Sequence, residues 1–235
     1  MKIPLSKRLS VCAGFVAPGE RVADIGCDHG YLSIYLLTQG IARSAIASDI
    51  REMPLQSAVR NAEKYGVRDK MEFFLSDGMA NIPRDFDCAV CAGMGADTMV
   101  SILEASPWLR SSRYRLILQC QSKTPMLRSY LSREGWRITE ESVLKDGRFL
   151  YTVMEVLWQP EHPRLTLGET YFPPAIMENP SPETLEYYRR AVEKLAYSLE
   201  NRGEQADPQI SAALAELREM NIENILEGSH HGNSC

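Results

Sequence analysis

Up to about residue 150 the chain alternates short apolar runs with amphipathic stretches of helical period. Residues 21–26 (RVADIG), 44–49 (SAIASD), 71–75 (MEFFL), 86–92 (FDCAVCA) and 114–119 (YRLILQ) are predicted strands. Residues 31–39, 53–65, 96–104 and 125–134 are predicted helices, the second ending at Gly66, which suits a C-cap. The run at 86–92 is apolar almost throughout, as expected of a strand buried on both faces. This strand–helix repetition predicts a parallel, doubly wound sheet.

The pattern then changes. Residues 136–144 and 149–158 are strand-like runs joined by Lys145-Asp146-Gly147-Arg148, and Asp-Gly between two such runs predicts an antiparallel hairpin. Six prolines fall within residues 159–182, which reads as a linker or a wrapping loop. Beyond it, Leu185, Tyr188, Val192, Leu195 and Leu199 recur at alternating spacings of three and four. Residues 202–208 interrupt the pattern, and Ile210, Ala213, Leu214, Leu217 and Met220 share one face of a second helix over 209–226. The two predict an antiparallel helical hairpin that either packs on the core or acts as an arm for a large substrate. The expected division is a main domain over 1–160, a linker over 161–182, the helical hairpin over 183–227 and a flexible tail over 228–235, whose His230-His231 pair is read as inert.

Composition adds limits. The 235 residues are 44% hydrophobic and 24% charged, which suits a globular chain with a sizeable core. No apolar run approaches the ~20 residues of a membrane span. The basic start, Lys2 to Arg8, has no apolar stretch behind it, so no signal peptide is expected. Cys12, Cys27, Cys88, Cys91, Cys120 and Cys235 are scattered, several in apolar runs, and read as reduced thiols of a cytoplasmic protein. Cys88 and Cys91 lie within one strand and should face opposite ways, so no metal site is expected. Net charge is −5, but residues 107–137 carry Arg110, Arg113, Arg115, Lys123, Arg128, Arg133 and Arg137 against Glu134 alone. Such a stretch forms either a local polyanion-binding face or ordinary solvated surfaces.

The candidate chemistry clusters after the strands. Asp24-Ile25-Gly26-Cys27-Asp28-His29-Gly30 follows the first strand and opens a helix. It is not the G-x-G-x-x-G of dinucleotide folds, and an acid at the turn repels a pyrophosphate. It suits a cofactor with positive charge and no phosphate, such as S-adenosylmethionine. Asp49 ends the second strand, where an acid accepts hydrogen bonds from ribose hydroxyls. Ser76-Asp77-Gly78 ends the third, where a polar side chain can reach an adenine amino group, and Ala92-Gly93-Met94-Gly95 ends the fourth, where the backbone can approach a ligand closely. Each motif alone also reads as turn chemistry. All four stand where open α/β sheets bind ligands. No G-x-S-x-G or Walker A loop is present.

With these residues the chain resembles the bacterial tRNA adenine-N1 methyltransferases that act on the adenine at position 22. The similarity runs over residues 5–158 and rests on Leu5-Ser6-Lys7-Arg8-Leu9, Ala23-Asp24-Ile25-Gly26 with Asp28-His29 and Tyr31-Leu32, Asp77-Gly78, Ala92-Gly93-Met94-Gly95, Arg115-Leu116-Ile117-Leu118-Gln119 and the hairpin. The C-terminal part matches only in type. Gly30, Asp49 and Ala96 stand where the family usually has Ala, Glu and Gly, and Leu118-Gln119-Cys120-Gln121 stands for its L-Q-P-N. The resemblance implies an α/β class I methyltransferase fold, a Rossmann-like doubly wound sheet ending in an antiparallel hairpin with a C-terminal helical, coiled-coil-like appendage.

The resemblance further implies S-adenosyl-L-methionine as cofactor, held by Arg8, Asp24, Gly26, Asp28, Asp49, Asp77, Gly78, Gly93, Met94 and Gly95. Methyl transfer to N1 of an adenine in tRNA is expected. Asp28, His29 and Tyr31 are the catalytic candidates: Asp28 to stabilise the cationic product ring, the other two to line the base site. Asp28 also reads as ordering the turn. Lys7, Arg8 and the basic residues of 107–137 are expected on tRNA phosphates. No membrane partner is expected, and a monomer is favoured. The rival readings are a methyltransferase acting on a small molecule or protein, a non-catalytic cofactor-binding module, and a dinucleotide oxidoreductase.

Overall fold

The computed structural model describes residues 2–202, 207–222 and 225. Ser6 opens a helix that periodicity did not predict, α1 (Lys7–Gly14), its hydroxyl accepting from the Leu9 amide at 3.3 Å. There follow β1 (Arg21–Ile25), α2 (Tyr31–Thr38), β2 (Ser44–Asp49), α3 (Glu52–Lys64), β3 (Met71–Leu75), β4 (Cys88–Met94), α4 (Ala96–Glu104), β5 (Arg115–Cys120) and α5 (Thr124–Arg133). The hairpin is β6 (Trp136–Asp146) with β7 (Phe149–Trp158), closed at Gly147, whose φ of 60° needs no Cβ. Then come α6 (Leu167–Tyr171), α7 (Ala175–Glu178), α8 (Thr184–Arg202) and α9 (Pro208–Glu219).

The seven strands form one sheet in the order β3-β2-β1-β4-β5-β7-β6. β1 to β5 pair in parallel, and β7 inserts antiparallel between β5 and β6. Side chains alternate between two cores, one on each face. Val22, Cys88 and Val90 join the core built with α1, α2 and α3, whereas Ala23, Ile25, Ala89 and Cys91 join the one built with α4 and α5. Cys88 and Cys91 therefore point to opposite faces of the sheet.

The proline-rich stretch departs from the linker expectation. Thr166 and Glu169 make a reciprocal capping box that starts α6, and Phe172 and Ile176 are buried. These two join Val143 of β6 with Tyr188, Leu195, Leu214 and Leu217 in a third core. The helices over 184–219 are thus fastened to the sheet through the stretch read as a linker. At the seam, Arg128 of α5 and Glu141 of β6 pair at 2.6 Å with both side chains 0% exposed. Arg128 also donates to the carbonyls of Thr170 and Tyr171 and to the Tyr187 hydroxyl, each at 2.9 Å. The tail over 228–235 and the break at 203–206 lie outside the described residues. No helix among the described residues is long and apolar enough to cross a membrane.

Candidate active site

The carboxyl ends of β1 to β5 meet the start of α1 around a cavity of about 620 Å³. Its walls include Arg8, Asp24, Gly26, Asp28, Tyr31, Asp49, Asp77, Gly78, Gly93 and Met94, which were singled out from sequence. Two others do not line it. Gly95 stands at the N-cap of α4, and His29 turns outward, half-exposed, with its ring 5.8 Å from that of Tyr31. Gln119 and Gln121, from the strand-five ending, line the cavity, and so do Pro4, Ser6, Leu9, Ile50, Arg51, Thr98 and Ile102, to which sequence reading assigned no role there.

The turn after β1 is held by acids. Asp24 is 5% exposed and accepts from the Ser33 hydroxyl at 2.9 Å, and burial pushes its carboxyl up to about 6. Asp49, also 5% exposed, accepts from the amides of Asp28 at 3.2 Å and Arg51 at 2.9 Å, one on each oxygen. Each oxygen keeps a second lone pair for a ligand hydroxyl. Asp28 adopts the left-handed conformation, φ 50°, which Asp tolerates better than most residues. Its carboxylate stands out from the turn, 3.7 Å from His29 Nε2.

The other walls are shaped by glycines and amides. A Cβ on Gly26 would collide with Cε of Met94, and one on Gly78 would lie 2.9 Å from Cγ1 of Ile102. A bulge between Ala92 and Met94 puts Gly93 out of register with β5. Its amide donates to the buried Gln119 side chain at 3.0 Å, and Gln119 in turn donates to the Cys120 carbonyl at 3.1 Å. The Gln121 amide donates to the Met94 carbonyl at 2.8 Å, which brings the end of β5 against the end of β4.

Part of the basic run over 107–137 is taken up by the fold, which removes Arg115 and Arg128 from the residues expected on phosphates. Arg128 is wholly buried against Glu141. Arg115 binds Glu20 at 3.0 Å and pairs with Glu155. Arg110 and Arg133 share Glu134, and Lys123 pairs with Asp97 at 2.8 Å. Arg115 and Arg128 find acids from outside the run, brought in by tertiary contacts, whereas Arg113 and Arg137 stay exposed.

The donor set can be tested against a cofactor. Four aspartates, Asp24, Asp28, Asp49 and Asp77, line one cavity. That field attracts a cation and repels a pyrophosphate. Exposed Ile50, with Gly78 and Ile102, offers an apolar slot beside Asp49. Together they fit a nucleoside bearing a cationic side chain, as in S-adenosylmethionine.

Residues 5–154 match the model of a family described as a methyltransferase domain. The tRNA (adenine(22)-N(1))-methyltransferase of Bacillus subtilis strain 168 is 34% identical over 154 residues, 65% of this chain and 65% of that protein, just short of two thirds of its length. Solved structures match more fully. Streptococcus pneumoniae Sp1610 in complex with S-adenosyl-L-methionine superposes with a TM-score of 0.78 at 33% identity, over 91% of this chain and 99% of that one. The B. subtilis m1A22 tRNA methyltransferase TrmK gives 0.76 at 27%, over 93% and 96%. The chain therefore belongs to the methyltransferase-domain family and, within it, to the group of the bacterial tRNA (adenine(22)-N1)-methyltransferases.

Proposed function

We propose that the protein methylates N1 of an adenine in tRNA, that at position 22, using S-adenosyl-L-methionine. The observation that carries the reading is the cavity with four carboxylates at the ends of β1 to β3, in a chain akin to enzymes of that specificity. When bound, the cofactor supplies a methyl group made electrophilic by the sulfonium. Asp49 accepts from ribose hydroxyls with its remaining lone pairs. Asp77, with Ile50, Gly78 and Ile102, takes the adenine ring of the cofactor. Asp24 and Asp28 offset the positive charge of its amino-acid end, and Arg8, Gly26, Gly93 and Met94 complete the walls.

Adenine N1 carries an in-plane lone pair at neutral pH, so no strong base is needed and the enzyme's task is alignment. Methylation makes the ring cationic, and the outward Asp28 carboxylate stabilises that charge. Tyr31 on the wall and His29 just outside it flank the approach of the base. N1 lies on the Watson–Crick edge, so a paired adenine must leave its helix first. A tRNA substrate supports work in the cytoplasm, and action as a monomer is part of the proposal. The test is transfer of labelled methyl from S-adenosylmethionine into unmodified bacterial tRNA, followed by nucleoside analysis. A 1-methyladenosine peak mapping to position 22 is expected. Cofactor binding without any methylated nucleoside overturns the assignment.

A further inference from the structure

We propose that Phe149 and Tyr151, flanked by Arg148 and Arg8, form a stacking track for the nucleotides next to the target base. The inference rests on the RNA reading above. Phe149 and Tyr151 lie two apart on β7 and so share a face, with ring centroids 6.2 Å apart. The Arg148 guanidinium lies 5.0 Å from the Phe149 ring, and that of Arg8 lies 5.2 Å from the Tyr151 ring. The four side chains thus run Arg8, Tyr151, Phe149, Arg148 in space.

One end of this row is in the active-site wall, where Arg8 stands. The other end is the hairpin tip. Thr152 pairs with Cys120, the last residue of β5, so residues 146–151 extend past the carboxyl ends of the parallel strands, on the side where the cavity lies. Phe149 is 51% exposed at that tip, and the Asp146–Phe149 pairing and Gly147 close the hairpin without needing an aromatic ring there. Arg148 makes no ion pair among the described residues, and its carbonyl accepts from Arg190 of α8 at 3.1 Å. Lys7 and Lys145 add positive charge at the same rim, partly offset by Glu183 and Glu186, and Arg8 lies 3.5 Å from Asp146.

An exposed aromatic ring beside guanidinium groups is what an unstacked base binds, with phosphates balancing the cations; here Phe149 is the exposed ring and Tyr151 is the half-buried one behind it. Lifting an adenine out of its helix to reach N1 strips its neighbours of a stacking partner. Phe149, with Tyr151 behind it, supplies a replacement surface beside the cavity, and the exposed Arg148 guanidinium offers a phosphate its counter-charge.

The test compares wild type, Phe149→Ala, Phe149→Trp and Arg148→Ala for binding of unmodified tRNA at fixed salt, single-turnover methylation and calorimetric cofactor binding. Phe149→Ala should weaken tRNA binding or slow methylation by at least about fivefold. Phe149→Trp should restore both, and cofactor affinity should be unchanged in every variant. A Phe149→Ala protein that binds and methylates tRNA as wild type overturns the track and leaves the enzymatic assignment standing. Wild type that neither binds nor methylates tRNA overturns both. A variant altered only in sedimentation, with its RNA properties intact, overturns the track in favour of contact with a second copy of the chain.

Discussion

Asp24 should make cofactor binding depend on pH in a direction opposite to its effect on stability. Its carboxyl is buried, accepts one hydrogen bond from Ser33 and is pushed up by burial to about 6 from an ordinary 3.8. Burial favours the neutral form relative to the unfolded chain, so the stability linked to Asp24 is fully present below pH 3.8 and is lost as pH rises through about 6. A shift of about two units corresponds to roughly 3 kcal/mol, so Asp24→Asn should raise the stability of the free protein at pH 8 by up to that amount. A cationic cofactor needs the ionised form. The ionised fraction is nearly complete at pH 8, about one half at pH 6 and about one tenth at pH 5, so affinity should fall about tenfold between pH 8 and pH 5. Calorimetric titration of S-adenosylmethionine across that range measures it, with Asp24→Asn as control, and denaturant unfolding at pH 8 measures stability. Wild-type affinity that stays level down to pH 5, or an Asn variant that binds as tightly as wild type at pH 8, would refute the electrostatic role given to this carboxylate.

Three further outcomes follow from the geometry. Glu141→Leu leaves Arg128 buried without its counter-ion and should cost about 3–5 kcal/mol in urea unfolding, whereas Arg128→Met with Glu141→Leu should recover part of it, the rest reflecting the Thr170 and Tyr171 carbonyls that lose their donor; a double variant less stable than Glu141→Leu would show that the unpaired charge is not what costs. Asp28→Asn keeps a residue that tolerates the positive φ, and should lower kcat by about tenfold or more and cofactor affinity by clearly less; equal losses in both would make Asp28 a cofactor ligand only. Gly78→Ala places a Cβ 2.9 Å from Ile102 at φ 54°, and should lose about 1–2 kcal/mol of stability together with cofactor affinity; unfolding and titration on one preparation check both.

The strand–helix alternation was legible because each strand is a short apolar run and each helix repeats at its own period, both local properties. Asp24, Asp49, Asp77 and Gly93 were legible for a related reason: the turn after each parallel strand is where an open sheet presents a ligand. Elsewhere local reading fell short. The segment with Pro160, Pro163, Pro173 and Pro174 has the composition of a linker, yet Phe172 and Ile176 bury against residues far along the chain and fold it into two short helices. Arg115 and Arg128 looked free for phosphates because their acids, Glu20, Glu155 and Glu141, lie 95, 40 and 13 residues away. The Phe149–Tyr151 pair gave no signal, since an aromatic in a strand ordinarily means core.

The sequence by itself determined the order of the strands and of the helices between them, the hairpin that ends the sheet and the acidic character of the strand-end turns. Backbone conformation and charge at a turn depend on a few adjacent residues. Only the tertiary structure decided which of those residues share a cavity, leaving His29 and Gly95 outside and bringing in Ser6, Ile50, Ile102 and Gln121. It also decided which cations are already neutralised. Strand order and helix packing set those distances, and the free energy that fixes them comes from burial among residues remote in the chain.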